Sequence, residues 1–300
     1  MPVSVLIPAR NESLNIEAAT ESVKWADEVW VIDSQSTDRT QELAESAGAK
    51  VVQFDYSGTG PKKKNWALEH VPFRNDWVLI LDADERATPA LSDEISSAVA
   101  RKDVDGFFVD RDYIFMGKSL SCFRPNWNLR LFRHRLGRYE QLATNAPFTG
   151  DNEVHEHIIL NGRSGYLKNP LLHEDKRPLR AWVDNHNRYS EWEAMVYRQL
   201  RSEPVRLNDL RSSDVVWRRR ALKRIWVRLP VRPAARFFAF YILRRGFLDG
   251  RQGLWYSMLM GYYEFLISMK SREVAGPEPS RTVSARGAEA IPLVREGPHA

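Results

Sequence analysis

Acidic side chains gather where the apolar runs of this sequence end. Pro8-Ala9-Arg10-Asn11-Glu12 closes a run that opens at Val3, Asp33-Ser34-Gln35-Ser36-Thr37-Asp38 closes one from Glu28, and Asp82-Ala83-Asp84-Glu85 closes one from Trp77. If each run is a strand of one open sheet, these termini meet along a single edge, where ligands of such sheets bind. Carboxylates crowded on one edge repel each other, and a divalent cation bound together with a diphosphate holds them in place. Asp82 and Asp84 are the candidate ligands, hard oxygen donors suited to Mg2+ or Mn2+. No glycine-rich G-x-G-x-x-G loop follows the first run and no G-x-x-x-x-G-K-[ST] occurs, so phosphate has to be held by metal and cations. Lys62, Lys63 and Lys64 stand beside a predicted helix start and either supply those cations or form a solvated face.

The elements that position these residues follow from periodicity. Strands are predicted at Val3 to Pro8, Glu28 to Asp33, Ala49 to Phe54 and Trp77 to Asp82. Helices are predicted near Ser13 to Ser22, Thr37 to Ala47, Lys62 to His70 and Thr88 to Ala100, the last announced by Thr88-Pro89, a capping residue before a proline at the first helical position. Such alternation gives an α/β fold, a mostly parallel Rossmann-like sheet with helices on both faces. After Gly106 come strand-like pieces at Gly106 to Asp110, Asn128 to Arg133 and Val154 to Leu160, then an amphipathic helix after Pro178.

Composition sets the class and the partners. A chain of 300 residues with 43% hydrophobic and 28% charged residues is globular, and one cysteine, Cys122, excludes an internal disulfide framework. The Met-Pro-Val-Ser start has no basic region and reads as a first strand rather than a signal peptide, so a cytoplasmic location is expected. The net charge of +5 hides a division: residues 198–251 hold 15 Lys and Arg against 4 Asp and Glu, which leaves a net of −6 elsewhere. Residues 217–269 hold 12 of the 33 aromatic residues. A basic, aromatic module of helices at 211–270 is therefore expected to meet an anionic membrane surface, lying in the interface rather than spanning it. An ordinary helical cap on the sheet domain is the competing reading. No RNA-binding motif accompanies the basic residues, so no nucleic-acid partner is expected. Residues 271–300, with four Pro, three Gly and no aromatic residue, read as a disordered tail after a catalytic domain of 1–210.

A D-x-D pair also serves phosphatases of the haloacid dehalogenase type, but those carry a nucleophilic Asp on the first strand, where this chain has Pro8-Ala9-Arg10. Taken in order, V-S-V-L-I-P-A-R-N-E, V-I-D-S-Q-S-T-D, G-P-K-K-K-N and L-I-L-D-A-D-E resemble glycosyltransferase family 2, inverting enzymes of the GT-A fold. The resemblance implies that Asp33 accepts a hydrogen bond from the donor base, that Pro8, Arg10, Asn11, Glu12, Lys62, Lys64 and Asn65 line the nucleotide, that Asp82 faces ribose or metal, and that Asp84 holds Mg2+ or Mn2+ on the diphosphate. It continues through V-H-E and Pro170 to His173, a pattern of lipopolysaccharide core β-glucosyltransferases. His173 then ligates the metal, orients the base, or is a hydrogen-bonded structural histidine.

Inverting transfer needs a base for the acceptor hydroxyl. In a strand over 154–160, Glu156 shares the face of Val154 and Ile158, which raises its pKa and makes it the preferred base, with Asp151 and Glu153 as alternatives. His155-x-His157 has the spacing of a zinc pair but no third His or Cys nearby. The expected activity is transfer of a hexose, glucose from UDP-glucose, to a lipopolysaccharide-core or other lipid-linked saccharide at the inner face of the cytoplasmic membrane. The alternatives are a polyprenyl-phosphate sugar transferase and a non-catalytic nucleotide-sugar or RNA binder.

Overall fold

The structure, a computed structural model, describes residues 1–56, 60–140, 157–205 and 215–273. Along the chain run β1 (Val3–Ala9), α1 (Ile16–Glu21), β2 (Glu28–Asp33), α2 (Thr40–Ser46), β3 (Lys50–Gln53), α3 (Lys63–His70) and β4 (Trp77–Ile80). Next come β5 (Glu85–Ala87), α4 (Pro89–Ala98), β6 (Gly106–Val109), β7 (Arg111–Phe115), β8 (Lys118–Ser119), β9 (Asn128–Arg133) and β10 (Gly137–Tyr139). β11 (Ile158–Leu160), β12 (Ser164–Tyr166) and β13 (Leu171–His173) precede four helices, α5 (Leu179–Ser202), α6 (Val215–Trp226), α7 (Arg232–Phe238) and α8 (Gly250–Lys270).

The main sheet has the order β12-β6-β9-β4-β1-β2-β3. Its β4-β1-β2-β3 half is parallel, whereas β9 runs antiparallel to both β4 and β6. Both faces are covered, as the buried, mostly apolar residues of β1 require. Val3, Val5 and Ile7 join Ile16, Ala19, Leu91 and Ile95 in one core, while Leu6, Ile32, Val78 and Ile80 join Ala67, Leu68 and Val71 in the other. Thr88 caps α4 as its sequence signals, accepting from the Leu91 N–H at 3.1 Å. Two predicted helices begin late. α2 starts at Thr40 rather than Thr37 because the Asp38 carboxylate accepts from the Thr40 and Ser13 N–H groups, at 3.0 and 3.1 Å, and holds the preceding residues as a loop. α1 is likewise shortened to Ile16–Glu21.

A second sheet, β5-β13-β7-β8, stands beside the main one. The C-terminal helices pack on it. Tyr256 and Phe240 share a core with Phe115, Leu120 and Cys122, and buried Asp249 accepts from the Ser121 and Cys122 N–H groups at 3.1 and 3.0 Å. α8 comes so close to the turn before it that a Cβ on Gly253 would lie 2.0 Å from the Gly246 carbonyl oxygen. Between α7 and that turn, residues Ala239–Leu243 form a π-helical segment. Glu264, the one acid in the apolar stretch of α8, is fully buried and paired with Arg232 at 3.3 Å and Arg236 at 3.1 Å. No helix among the described residues is long and apolar enough to cross a membrane. The tail from 274 onward lies outside the described residues.

Candidate active site

The strand ends converge as the sequence implies. β1 and β2 pair in parallel up to Ala9 opposite Asp33, and the Ser34 N–H donates to the Ala9 carbonyl at 3.0 Å. Beyond that point Asn11, with φ of 54°, locks the two loops together: its N–H donates to Ser36 Oγ at 2.8 Å and its Oδ1 accepts from the Thr37 N–H at 2.9 Å. Asp33 is 1% exposed and accepts from the Ser36 N–H at 3.1 Å, from Gln53 Nε2 at 2.9 Å and from Ser36 Oγ. Pro8 lies past the end of the β1–β4 pairing, which stops at Leu6 opposite Ile80, so its missing N–H disturbs no ladder on that side. Arg10 is exposed at the same edge.

The three lysines divide their tasks. Lys63 is buried and donates to the Ala9 carbonyl at 2.9 Å, fixing α3 to the end of β1. Lys64 reaches Asp82 Oδ1 at 3.1 Å and lies over the Tyr139 ring. Lys62, half-buried, precedes the helix. Asn65 uses both ends of its amide on the Tyr139 backbone, each at 2.8 Å, and so joins α3 to β10.

Asp82, Asp84 and Glu85 follow β4 as a tight turn into β5. Arg130, projecting from the middle of β9 and 4% exposed, donates to Asp82 at 2.5 Å and to Glu85 at 2.7 Å. Arg111 adds a second guanidinium, 3.4 Å from Glu85. Against the cost of burial, Arg130 and Lys64 hold the Asp82 carboxyl well below the usual range, and Arg130 lowers that of Glu85. Asp84 has no such guanidinium. Burial raises its pKa, and the strongest opposition to that rise comes from His173.

β13 explains the histidine. Its antiparallel pairing with β5 sets His173 opposite Glu85, and its parallel pairing with β7 sets His173 opposite Tyr113, whose ring stacks on the imidazole at 4.9 Å. Nδ1 of His173 lies 3.6 Å from Asp84 Oδ1 and 3.7 Å from Glu85 Oε1, beyond hydrogen-bonding distance of either, and is buried without a partner. Burial works against its proton, but Asp84 and Glu85 outweigh burial and keep it above the ordinary histidine range. An imidazole nitrogen without a hydrogen-bond partner, facing a carboxylate that no guanidinium pairs with directly, is a two-donor set for a dication, which would displace the proton. Among the described residues no cluster of three His, Cys, Asp or Glu is arranged to hold a metal, so Asp84 and His173 fit a cation whose remaining ligands come from elsewhere, as diphosphate oxygens would supply.

Glu12 lies in the loop after β1. Its carboxylate pairs with Arg177 at 2.8 Å and accepts from Asn15 Nδ2 at 2.9 Å. Asn15, 2% exposed, also donates to Asp175 at 3.0 Å and accepts from the Lys176 N–H at 3.0 Å, so one side chain ties the loop after β13 to the loop after β1. Burial outweighs Arg177 and pushes the Glu12 carboxyl up to about 7. Arg130, Arg111, Arg177 and Tyr113 were not singled out by sequence. The available signal was Arg130, a cation inside the apolar strand pattern Leu129-Arg130-Leu131-Phe132. The candidate bases Asp151, Glu153 and Glu156 lie outside the described residues; their segment re-enters at His157, whose N–H donates to Glu140 at 2.9 Å.

Residues 4–152 match glycosyl transferase family 2. A lipopolysaccharide core biosynthesis glycosyltransferase of Rhizobium meliloti is 30% identical over 203 residues, 65% of this chain and 71% of the relative. An uncharacterized glycosyltransferase of Rickettsia bellii is 28% identical over 283 residues, 91% of this chain and 87% of the relative. Among solved structures, a Pyrobaculum calidifontis mannosyltransferase in complex with GDP-Man and Mn2+ is 17% identical, with a TM-score of 0.45 over 90% of this chain and 86% of that one. Apart from Val3, the four motifs read from sequence fall within the matched span, and the sheet carries Asp33, Asp82 and Asp84 to one edge. The chain belongs to glycosyl transferase family 2 and is a glycosyltransferase.

Proposed function

We propose that this glycosyltransferase moves glucose from UDP-glucose to a lipopolysaccharide-core or other lipid-linked saccharide with inversion, working at the inner face of the cytoplasmic membrane. The observation that carries the donor chemistry is the Asp84–His173 pair beside the neutralised Asp82. The core-biosynthesis relative supports the acceptor. Asp84 and His173 would hold Mg2+ or Mn2+, which when bound offsets the charge of the leaving diphosphate. Arg130 keeps Asp82 ionised, so that it accepts from ribose hydroxyls or a ligand water, and Lys64 brings a cation to the same place. Asp33, rigidly held by Ser36 and Gln53, offers its carboxylate to the base, and Asn11 keeps that loop closed. Glu156 takes the acceptor proton, with Asp151 and Glu153 as the alternatives.

The proposal is tested by incubating the protein with UDP-[13C]glucose and membranes from a strain lacking the gene. Label in the glycolipid core with a β linkage by NMR supports it. Label only from another nucleotide sugar corrects the donor, and label only in a polyprenyl phosphate moves the activity to that acceptor.

A further inference from the structure

An apolar groove of about 460 Å3 opens on the side of the molecule where α8 meets β7 and the start of α5. Phe115 and Met116 line it from the end of β7, Leu179 from α5, and Trp255, Met258 and Tyr262 from one face of α8. Five of these are large and substantially exposed: Met116 at 55%, Leu179 at 46%, Trp255 at 38%, Met258 at 56% and Tyr262 at 41%. Such a surface is costly in water unless something covers it.

Its position relates it to the site. Tyr113, two residues before Phe115 on β7, stacks on His173 at 4.9 Å and meets Tyr256 of α8 at 5.1 Å. Tyr256 in turn meets Phe115 edge-on at 5.3 Å. The contacting rings of Phe115, Tyr256 and Tyr113 therefore connect the groove to His173. At the α8 end the groove acquires positive charge: the Arg251 guanidinium lies over the Trp255 ring at 4.9 Å, and Lys118 Nζ stands beside Gly250.

The volume selects the occupant. A helix about 10 Å across would fill it with roughly one turn, too little contact for a specific protein partner. A single alkyl chain fits within it, and the two cations at one end complement a phosphate. We propose that the groove seats one hydrocarbon chain of the lipid-linked acceptor, with Lys118 and Arg251 meeting its phosphate. This rests on the acceptor being lipid-linked, and it assigns where the lipid lies.

The test uses the full chain with dodecyl phosphate below its micellar concentration, followed by calorimetry, with inorganic phosphate and dodecanol as the other arms. We expect dodecyl phosphate to bind, inorganic phosphate not to bind, and dodecanol to bind more weakly. Met258→Lys at an exposed position should weaken dodecyl phosphate at least tenfold, and Trp255→Ala is the second variant should the first unfold. In transfer assays both variants should raise KM for the lipid-linked acceptor while leaving KM for a delipidated saccharide and the rate of donor hydrolysis unchanged. Equal dodecyl phosphate affinity in wild type and both folded variants would overturn the groove assignment, as would self-association in sedimentation abolished by Met258→Lys. If wild type instead uses delipidated and lipid-linked acceptors equally well, the lipid-linked reading itself fails, whatever the groove binds.

Discussion

Replacing Arg130 with Met should expose how much of the site is held by one guanidinium. Met keeps most of the aliphatic stem and removes the donors that reach Asp82 at 2.5 Å and Glu85 at 2.7 Å. Glu85 is fully buried, so its carboxylate has no water to turn to. Breaking one partner of a buried ion pair costs about 3–5 kcal/mol. Arg111, 3.4 Å from Glu85 and 3.9 Å from Asp82, compensates in part and sets the value near the lower end, about 3 kcal/mol. For a chain of this size that is a fall in Tm of roughly 6 °C, readable by calorimetry. The pKa of Asp82 should rise as well, so donor binding in the variant should weaken as pH falls toward 5. Adding Glu85→Gln removes the stranded charge. The double variant should therefore be more stable than Arg130→Met alone, although Glu85→Gln by itself destabilises the wild type. A Tm change under about 2 °C for Arg130→Met, or simple additivity in the double variant, would refute the reasoning.

Glu156→Gln should leave UDP affinity by calorimetry nearly unchanged and lower kcat by roughly 10²-fold; loss of UDP binding would send the search for the base to Asp151 or Glu153. His186 stacks on Trp182 at 3.6 Å, and burial lowers its pKa to about 4. The unfolded chain takes up that proton below about pH 6.5 and the folded one resists, so this histidine removes stability as pH falls through that window. His186→Phe should reduce the stability lost between pH 7.5 and 5 by about 2 kcal/mol in urea titrations, and an unchanged acid slope would contradict it. Leu243, 80% exposed beside Arg244 and Arg245, belongs to the surface proposed to meet the bilayer; the protein should sediment with anionic liposomes more than with neutral ones, and a Leu243→Glu, Leu248→Glu double variant should reduce sedimentation severalfold.

Local pattern was enough for the parts of the site that lie on consecutive residues. Asp82 and Asp84 could be found because a strand terminus and a D-x-D pair sit in one short stretch, and Thr88-Pro89 marks its helix for the same reason. What stayed hidden depends on distant pairing. Arg130 looks like one polar tooth of a half-exposed strand, but β9 enters the main sheet next to β4 and turns that tooth toward the acids of the β4–β5 turn. The Asn15–Asp175 bond spans 160 residues. Glu264 reads as an interruption in an apolar helix, and only the packing of α7 on α8 shows that Arg232 and Arg236 neutralise it. His173 was legible only through a family resemblance, since the register of β13 against β5, not its own neighbours, delivers it to Asp84.

The measurement closest to the core of the mechanism is the affinity of UDP with and without Mn2+, compared between wild type and Asp84→Asn. In the proposed mechanism Asp84 and His173 hold the cation, because Asp82 is paired with Arg130 and Lys64 and Glu85 with Arg130 and Arg111. We expect Mn2+ to tighten UDP at least tenfold in wild type and to have no effect in Asp84→Asn, with the circular dichroism of the two proteins alike. A folded Asp84→Asn variant that keeps the full Mn2+ gain in UDP affinity would contradict that assignment.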